Sequence, residues 1–169
     1  GTVAGAALAL STYRDLTEEG VAAEFQQPPQ PAQPGSPATI ASAVDHRPTD
    51  AVWMAGRLWT TSTYPCLIEA LHSCIRLLEI DTTDPLAADP VVRDDRLGWQ
   101  GFDSYTPGIG LALDGMTYAV YSRSSSVAPV GIHAVHQRPG ETAYRGWHQV
   151  VAGSGTYLGA RWGDYAGIA

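Results

Sequence analysis

The chain contains no lysine. Its ten basic residues are all Arg, set against seventeen Asp and Glu, for a formal net charge of −7. A negative surplus of this size repels a phosphate backbone, so a nucleic-acid partner is not expected. Charge of either sign is scarce, at 16% of residues, which leaves the surface to Ser, Thr, Gln and Gly. No run of about 18 apolar residues occurs, so no membrane span is expected. The opening stretch, Gly1 to Leu16, is apolar at first but has no basic region before it and turns polar too soon to read as a secretory signal. The Asp-dense loop with a central Gly that calcium sites require is missing, so Asp81, Asp84 and Asp89 in "DTTDPLAADP" read as solvated turns. No bound metal or other cofactor is expected.

Gly and Pro are abundant, at eighteen and twelve residues, and they cut the chain into short runs. Val21 to Phe25 reads as a strand. Gln26 to Pro37, "QQPPQPAQPGSP", is a Pro/Gln-rich stretch closed to regular structure and reads as an extended surface loop. Further strands are expected at Ala38–Val44, Ala51–Thr61, Met116–Ser125, Val130–Arg138 and Gly146–Gly153, with a polar turn at Asp45–Asp50. Leu67, Leu71, Ile75 and Leu78 fall at nearly helical spacing. The order of neighbouring runs favours a turn or short helix over Leu67–His72 and a strand over Ser73–Thr82.

Three phrases repeat. "GSPATIASAV", "DSYTPGIGLAL" and "GDYAGIA" each lead through a turn into Ile between small residues, at Ile40, Ile109 and Ile168, spaced by 69 and 59 residues. An aromatic run and a further strand follow the first two, and a Val-Val pair precedes the last two. Units of this length, small at the start and aromatic outward, predict an all-β fold, an incomplete β-propeller of four-stranded antiparallel blades. A β-sandwich is the alternative. On the propeller reading residues 1–37 are the tail of a preceding blade plus the Pro/Gln-rich loop. Residues 38–102 and 103–159 are blades, and 160–169 is the first strand of another.

"RWGDYAGIA", Arg161 to Ala169, resembles the Arg-Trp-Gly-Asp-Tyr-Ser/Ala-Gly-Ile phrase of secreted bacterial β-propellers of the sialidase-like superfamily. "SCIRLLEIDT", with "RLWTTSTYPC" before it, is similar to their blades. The likeness covers roughly Ala38 to Ala169. It implies a secreted or cell-surface protein whose partners are further blades of the same protein and a carbohydrate or protein ligand. The Asp-box phrase Ser-x-Asp-x-Gly-x-Thr-Trp and an Arg-Ile-Pro phrase are both absent, so no catalytic residue carries over. The expected role is a non-catalytic binding or scaffold segment. The alternative is part of a sialidase-like glycoside hydrolase with its site at the channel mouth.

Candidate residues follow. Cys66 and Cys74 close a short loop and are expected to form a disulfide, as suits an exported chain, with two buried thiols the alternative. His133 and His136 are three apart, which on a strand sends them to opposite faces. Ser124, Ser125 and Ser126 have no nucleophile motif around them. The candidate ligand-binding residues are those that lead into the repeats: Asp103 with Tyr105, and Arg161 with Asp164 and Tyr165. Acids with a Tyr and an Arg suit glycoside chemistry. The competing role is structural, with Asp holding backbone N–H groups at a turn.

Overall fold

The computed structural model of the chain describes residues 27–36, 39–40, 47–84, 89–159 and 162. The described residues are all-β. Eight strands run in order: β1 (Pro48–Met54), β2 (Arg57–Leu67), β3 (Leu71–Asp81), β4 (Val91–Leu97), β5 (Asp103–Leu111), β6 (Thr117–Ser124), β7 (Gly131–Gln137) and β8 (Arg145–Val151). They form two four-stranded sheets, β1-β2-β3-β4 and β5-β6-β7-β8, with every neighbouring pair antiparallel. Each sheet is therefore a meander built from hairpins between sequence neighbours, and neither closes on itself.

The turns are set locally. Met54 pairs with Arg57 across a two-residue turn, Ala55–Gly56, in which both residues have positive φ (49° and 80°). That sign matches the twist of the flanking strands. The run Ala51–Thr61, expected as one strand, is thus the hairpin β1–β2. Between β5 and β6, Asp114 Oδ1 accepts the Met116 N–H and Gly115 supplies φ 85°. Between β6 and β7, Ser125 Oγ accepts the Val127 and Ala128 N–H groups. Asp81 and Asp89 do the same for Thr83 and Val91, as turn residues.

The segment with helical spacing is a strand. β2 pairs with β3 in unbroken register from Arg57↔Asp81 to Leu67↔Leu71, so neither a helix nor a turn as long as Leu67–His72 forms, and the strand begins at Leu71 rather than Ser73. Cys66 and Cys74 lie diagonally across this hairpin, Cα atoms 5.9 Å apart, and are disulfide-bonded. The bridge packs over Gly98, where a Cβ would collide with Cys74 Sγ. The first described strand of its sheet is Pro48–Met54, whereas the expected one is Ala38–Val44. Of the latter only Thr39 and Ile40 are described, and they are not strand. Val21–Phe25 lies outside the described residues.

The two sheets stack. Ile75 and Leu77 of the first meet Ile109, Ala119, Tyr121 and Val135 of the second, with Tyr144 joining them, and Val52, Trp59, Leu97 and Trp99 packing around the edge. β5 is the strand on which the stack turns. It follows the outer strand β4 through residues 98–102, packs across β1, β2 and β3, and has eight of its nine residues buried. A smaller cluster on the far face of the second sheet joins Tyr105, Val130 and Ile40, with Tyr157 and Trp162 beside them.

Candidate functional site

Asp103 opens β5 and is 6% exposed. Its two oxygens are fully engaged. Oδ2 accepts the Ala32 N–H at 2.9 Å. Oδ1 accepts the Ser73 N–H at 3.0 Å and lies 3.2 Å from His72 Nδ1, which donates to it when that nitrogen carries the proton. One carboxylate thus ties together the Pro/Gln-rich stretch, the start of β3 and the start of β5. Charge-assisted bonds of this kind are roughly twice as strong as neutral ones.

Tyr105, two residues on and on the same face, is fully buried. Its hydroxyl donates to Ser124 Oγ at 3.2 Å, and Ser124 Oγ donates onward to the Ala32 carbonyl at 2.7 Å. Burial pushes the phenol well above its ordinary range, the Ser124 bond opposes this, and the Asp103 charge adds to the rise. Tyr105 is therefore a neutral donor at physiological pH.

Asp103 and Ser124 are partners across the β5–β6 pair. The first sheet has the same arrangement one unit earlier, with Asp50 opposite Thr61 across β1–β2. Asp50 Oδ2 accepts the Ile109 N–H at 2.9 Å, and Thr61 Oγ1 donates to the Pro107 carbonyl at 3.2 Å. Thr49 Oγ1 donates to that carbonyl as well, and Thr63 Oγ1 accepts the Thr106 N–H. Each sheet therefore carries an acid opposite a hydroxyl across its first two strands, and each pair grips the backbone of an extended segment laid over it. On the first sheet that segment is the bulged middle of β5, where Thr106 takes φ 49°. On the second it is the stretch around Ala32.

That stretch is not a surface loop as expected. Pro28 and Pro31 are fully buried and Gln33 is 6% exposed. Ser73 Oγ donates to the Pro29 carbonyl, Thr156 Oγ1 to the Pro34 carbonyl, and the Gln33 amide pairs with both the N–H and the C=O of Tyr157. The burial follows from the long-range bonds, which sequence proximity does not signal.

Of the remaining candidates, Arg161, Asp164 and Tyr165 lie outside the described residues. Trp162 is described: its Nε1–H donates to Ser122 Oγ at 2.9 Å and its ring meets Tyr157 edge-on at 5.1 Å. A cleft of about 350 Å³ lies beside it, walled by 130–132, 151–157 and Trp162.

A second constellation escaped sequence reasoning because its members are scattered. Tyr121 stacks on Trp99 at 5.1 Å and on His133 at 5.8 Å, and Trp147 meets Trp99 edge-on at 4.6 Å. The Arg123 guanidinium lies over Phe102 at 3.8 Å and Trp99 at 5.1 Å. Burial lowers the Arg123 pKa, and burial with the Arg123 charge lowers that of His133. His136, on the other face, approaches Tyr118 instead. Among the described residues no three His, Cys, Asp or Glu side chains are grouped to hold a metal ion, and no helix is long and apolar enough to cross a membrane.

No family model, no curated protein and no solved structure matches this chain.

Proposed function

We propose that the chain is a pair of adjacent blades from a secreted or cell-surface β-propeller, serving as a non-catalytic scaffold or binding segment. The observation that carries this reading is the repeated acid–hydroxyl pair, Asp50–Thr61 and Asp103–Ser124, each gripping a backbone laid across its sheet. An acid–hydroxyl grip that recurs between the first two strands of one four-stranded meander and of the next is a feature that stacked related units share. The link from the outer strand β4 to the deeply buried β5 has the connectivity of successive blades. The disulfide suits an oxidising compartment.

The state of Asp103 favours the non-catalytic role over the glycosidase alternative. A general acid or nucleophile must reach a sugar. Asp103 is buried with both oxygens committed to Ala32, Ser73 and His72.

A propeller needs about four to eight blades. The test compares this 169-residue chain with a longer one carrying further repeats, by sedimentation velocity and thermal melting. The expected result is that the shorter chain associates or melts broadly, while the longer one is monomeric and more stable. A short chain that is monomeric and melts as cooperatively as the long one would make the two sheets a self-contained sandwich.

A further inference from the structure

The segment Pro28–Pro34 is held as a bound peptide is held. Its sequence, "PPQPAQP", places Pro28, Pro31 and Pro34 three apart. Proline fixes its own φ and drives the residue before it to extended geometry, so the stretch is predisposed to polyproline II. That helix has three residues per turn, which puts Pro28 and Pro31 on one side. Both are fully buried.

The polar chemistry of the seat matches this class of backbone. A proline-rich segment is rich in carbonyl acceptors and poor in N–H donors, and polyproline II satisfies none of them internally. The seat offers three hydroxyl donors, from Ser73, Ser124 and Thr156, to the carbonyls of Pro29, Ala32 and Pro34. It offers one charged acceptor, Asp103, to the Ala32 N–H. The Tyr157 backbone reads the Gln33 side chain through a donor and an acceptor together. Donors face acceptors throughout, and the anchors come from β3, β5, β6 and the stretch after β8.

We propose that this seat is a recognition groove for extended proline-rich peptides of the pattern Pro-x-x-Pro-x-Gln-Pro, occupied here by the chain's own strap, which a peptide of that pattern displaces. Preorganised polyproline segments lose little entropy on docking, which favours exchange of one such segment for another. The anchors named above all lie among the described residues, and the proposal does not depend on whether further blades exist.

The test uses the full chain carrying Pro31→Gly and Gln33→Ala, which loosens the strap, and a fluorescently labelled peptide of residues 27–36. Anisotropy should show saturable binding to this variant. Binding to the unaltered chain should be at least about tenfold weaker, because its own strap holds the seat. N-methylation of the peptide at the alanine matching Ala32 removes the N–H that Asp103 accepts. That change should weaken binding by about tenfold to a hundredfold without touching the protein's fold. A cooperatively melting variant that ignores the peptide, or binds the N-methylated form equally well, overturns the proposal. So does a variant that dimerises without taking up peptide, which would assign the face to a second copy. Should the variant fail to fold, native-state amide exchange on the unaltered chain decides. Ala32 is expected to exchange through a local opening, well ahead of Ala119 and Tyr121 in β6. Exchange of all three only by global unfolding makes the strap part of the core and overturns the proposal.

Discussion

Arg93, on the outer strand of one sheet, donates to Gln137 on the third strand of the other. The same guanidinium meets Asp95 Oδ2 at 2.6 Å, reaches the Glu141 and Thr142 carbonyls and lies over the Tyr144 ring. It closes the sheet interface at the end opposite the aromatic cluster, and it partners a carboxylate whose pKa is raised chiefly by burial.

Replacing Arg93 by Met keeps much of the aliphatic stem and removes the charge and the donors. The expected loss is about 1.5–3 kcal/mol, the range for charge-assisted bonds between partly buried groups. Urea unfolding monitored by circular dichroism checks it. A change within about 0.5 kcal/mol would mean the bridge contributes no more than an ordinary surface substitution.

The disulfide closes a short loop, with cysteines eight residues apart. Thiol titration of the denatured, unreduced chain should find no reactive thiol. Changing Cys66 and Cys74 together to Ala should cost about 2–3 kcal/mol, mainly by releasing the unfolded chain. Two titratable thiols would remove the support the bridge gives to export.

Ala55 carries a left-handed backbone in the β1–β2 turn, at φ 49°, and is exposed. For an L-residue with a Cβ this geometry costs about 1–2 kcal/mol. Asn, which tolerates it and forms the preferred Asn-Gly turn, should stabilise the hairpin by up to about 1 kcal/mol. Thermal melting of Ala55→Asn reads this directly, and a lower melting temperature would contradict the turn assignment.

Burial first, and the Arg123 charge second, hold the His133 pKa below its ordinary value of 6.5. The folded state therefore binds the proton less readily than the unfolded chain. The stability this contributes is present above the unfolded pKa and is lost as pH falls through the folded one. Urea midpoints should accordingly drop between about pH 7.5 and about pH 5.5, and His133→Gln should flatten that drop. Asp95, with its pKa raised, has the opposite sign and acts in the carboxylate range, so it does not counterfeit the effect. An equal drop in the variant would assign the proton uptake elsewhere.

What could be read from the sequence was the rhythm of strands, because Gly, Pro, Asp and Ser mark the ends of β6, β7 and β8 plainly. The β1–β2 hairpin was hidden because Ala55–Gly56 lacks the Asn or Asp that usually announces such a turn. The strand expected over Ser73–Thr82 is there as β3, and the helical spacing of Leu67, Leu71, Ile75 and Leu78 competes with it because β3 is covered on both faces. Cys74, Ile75, Leu77, Leu78 and Ile80 are all buried, which erases the alternation that marks a half-buried strand. Asp103 and Tyr105 were visible as residues. Their partners were not, since Ala32, Ser73 and Ser124 lie far off along the chain and contribute only backbone groups or a lone hydroxyl. The aromatic cluster draws Tyr121 and Arg123 from β6, His133 from β7, Trp147 from β8 and Trp99 and Phe102 from the link before β5, and no local pattern marks it.

The bonds that hold the strap span 71 residues from Ala32 to Asp103, 92 to Ser124, and 122 from Pro34 to Thr156. During synthesis the strap leaves the ribosome long before the groove that receives it. β5, by contrast, meets Asp50, Thr61 and Thr63 already translated. Contacts this distant along the chain form late, because loop closure must precede any gain from them. Order of translation and the expected order of assembly are thus reversed for Pro28–Pro34: the strap is made before both sheets, loop closure favours its settling after them, and until it does the Asp103 carboxylate lacks its Ala32 partner.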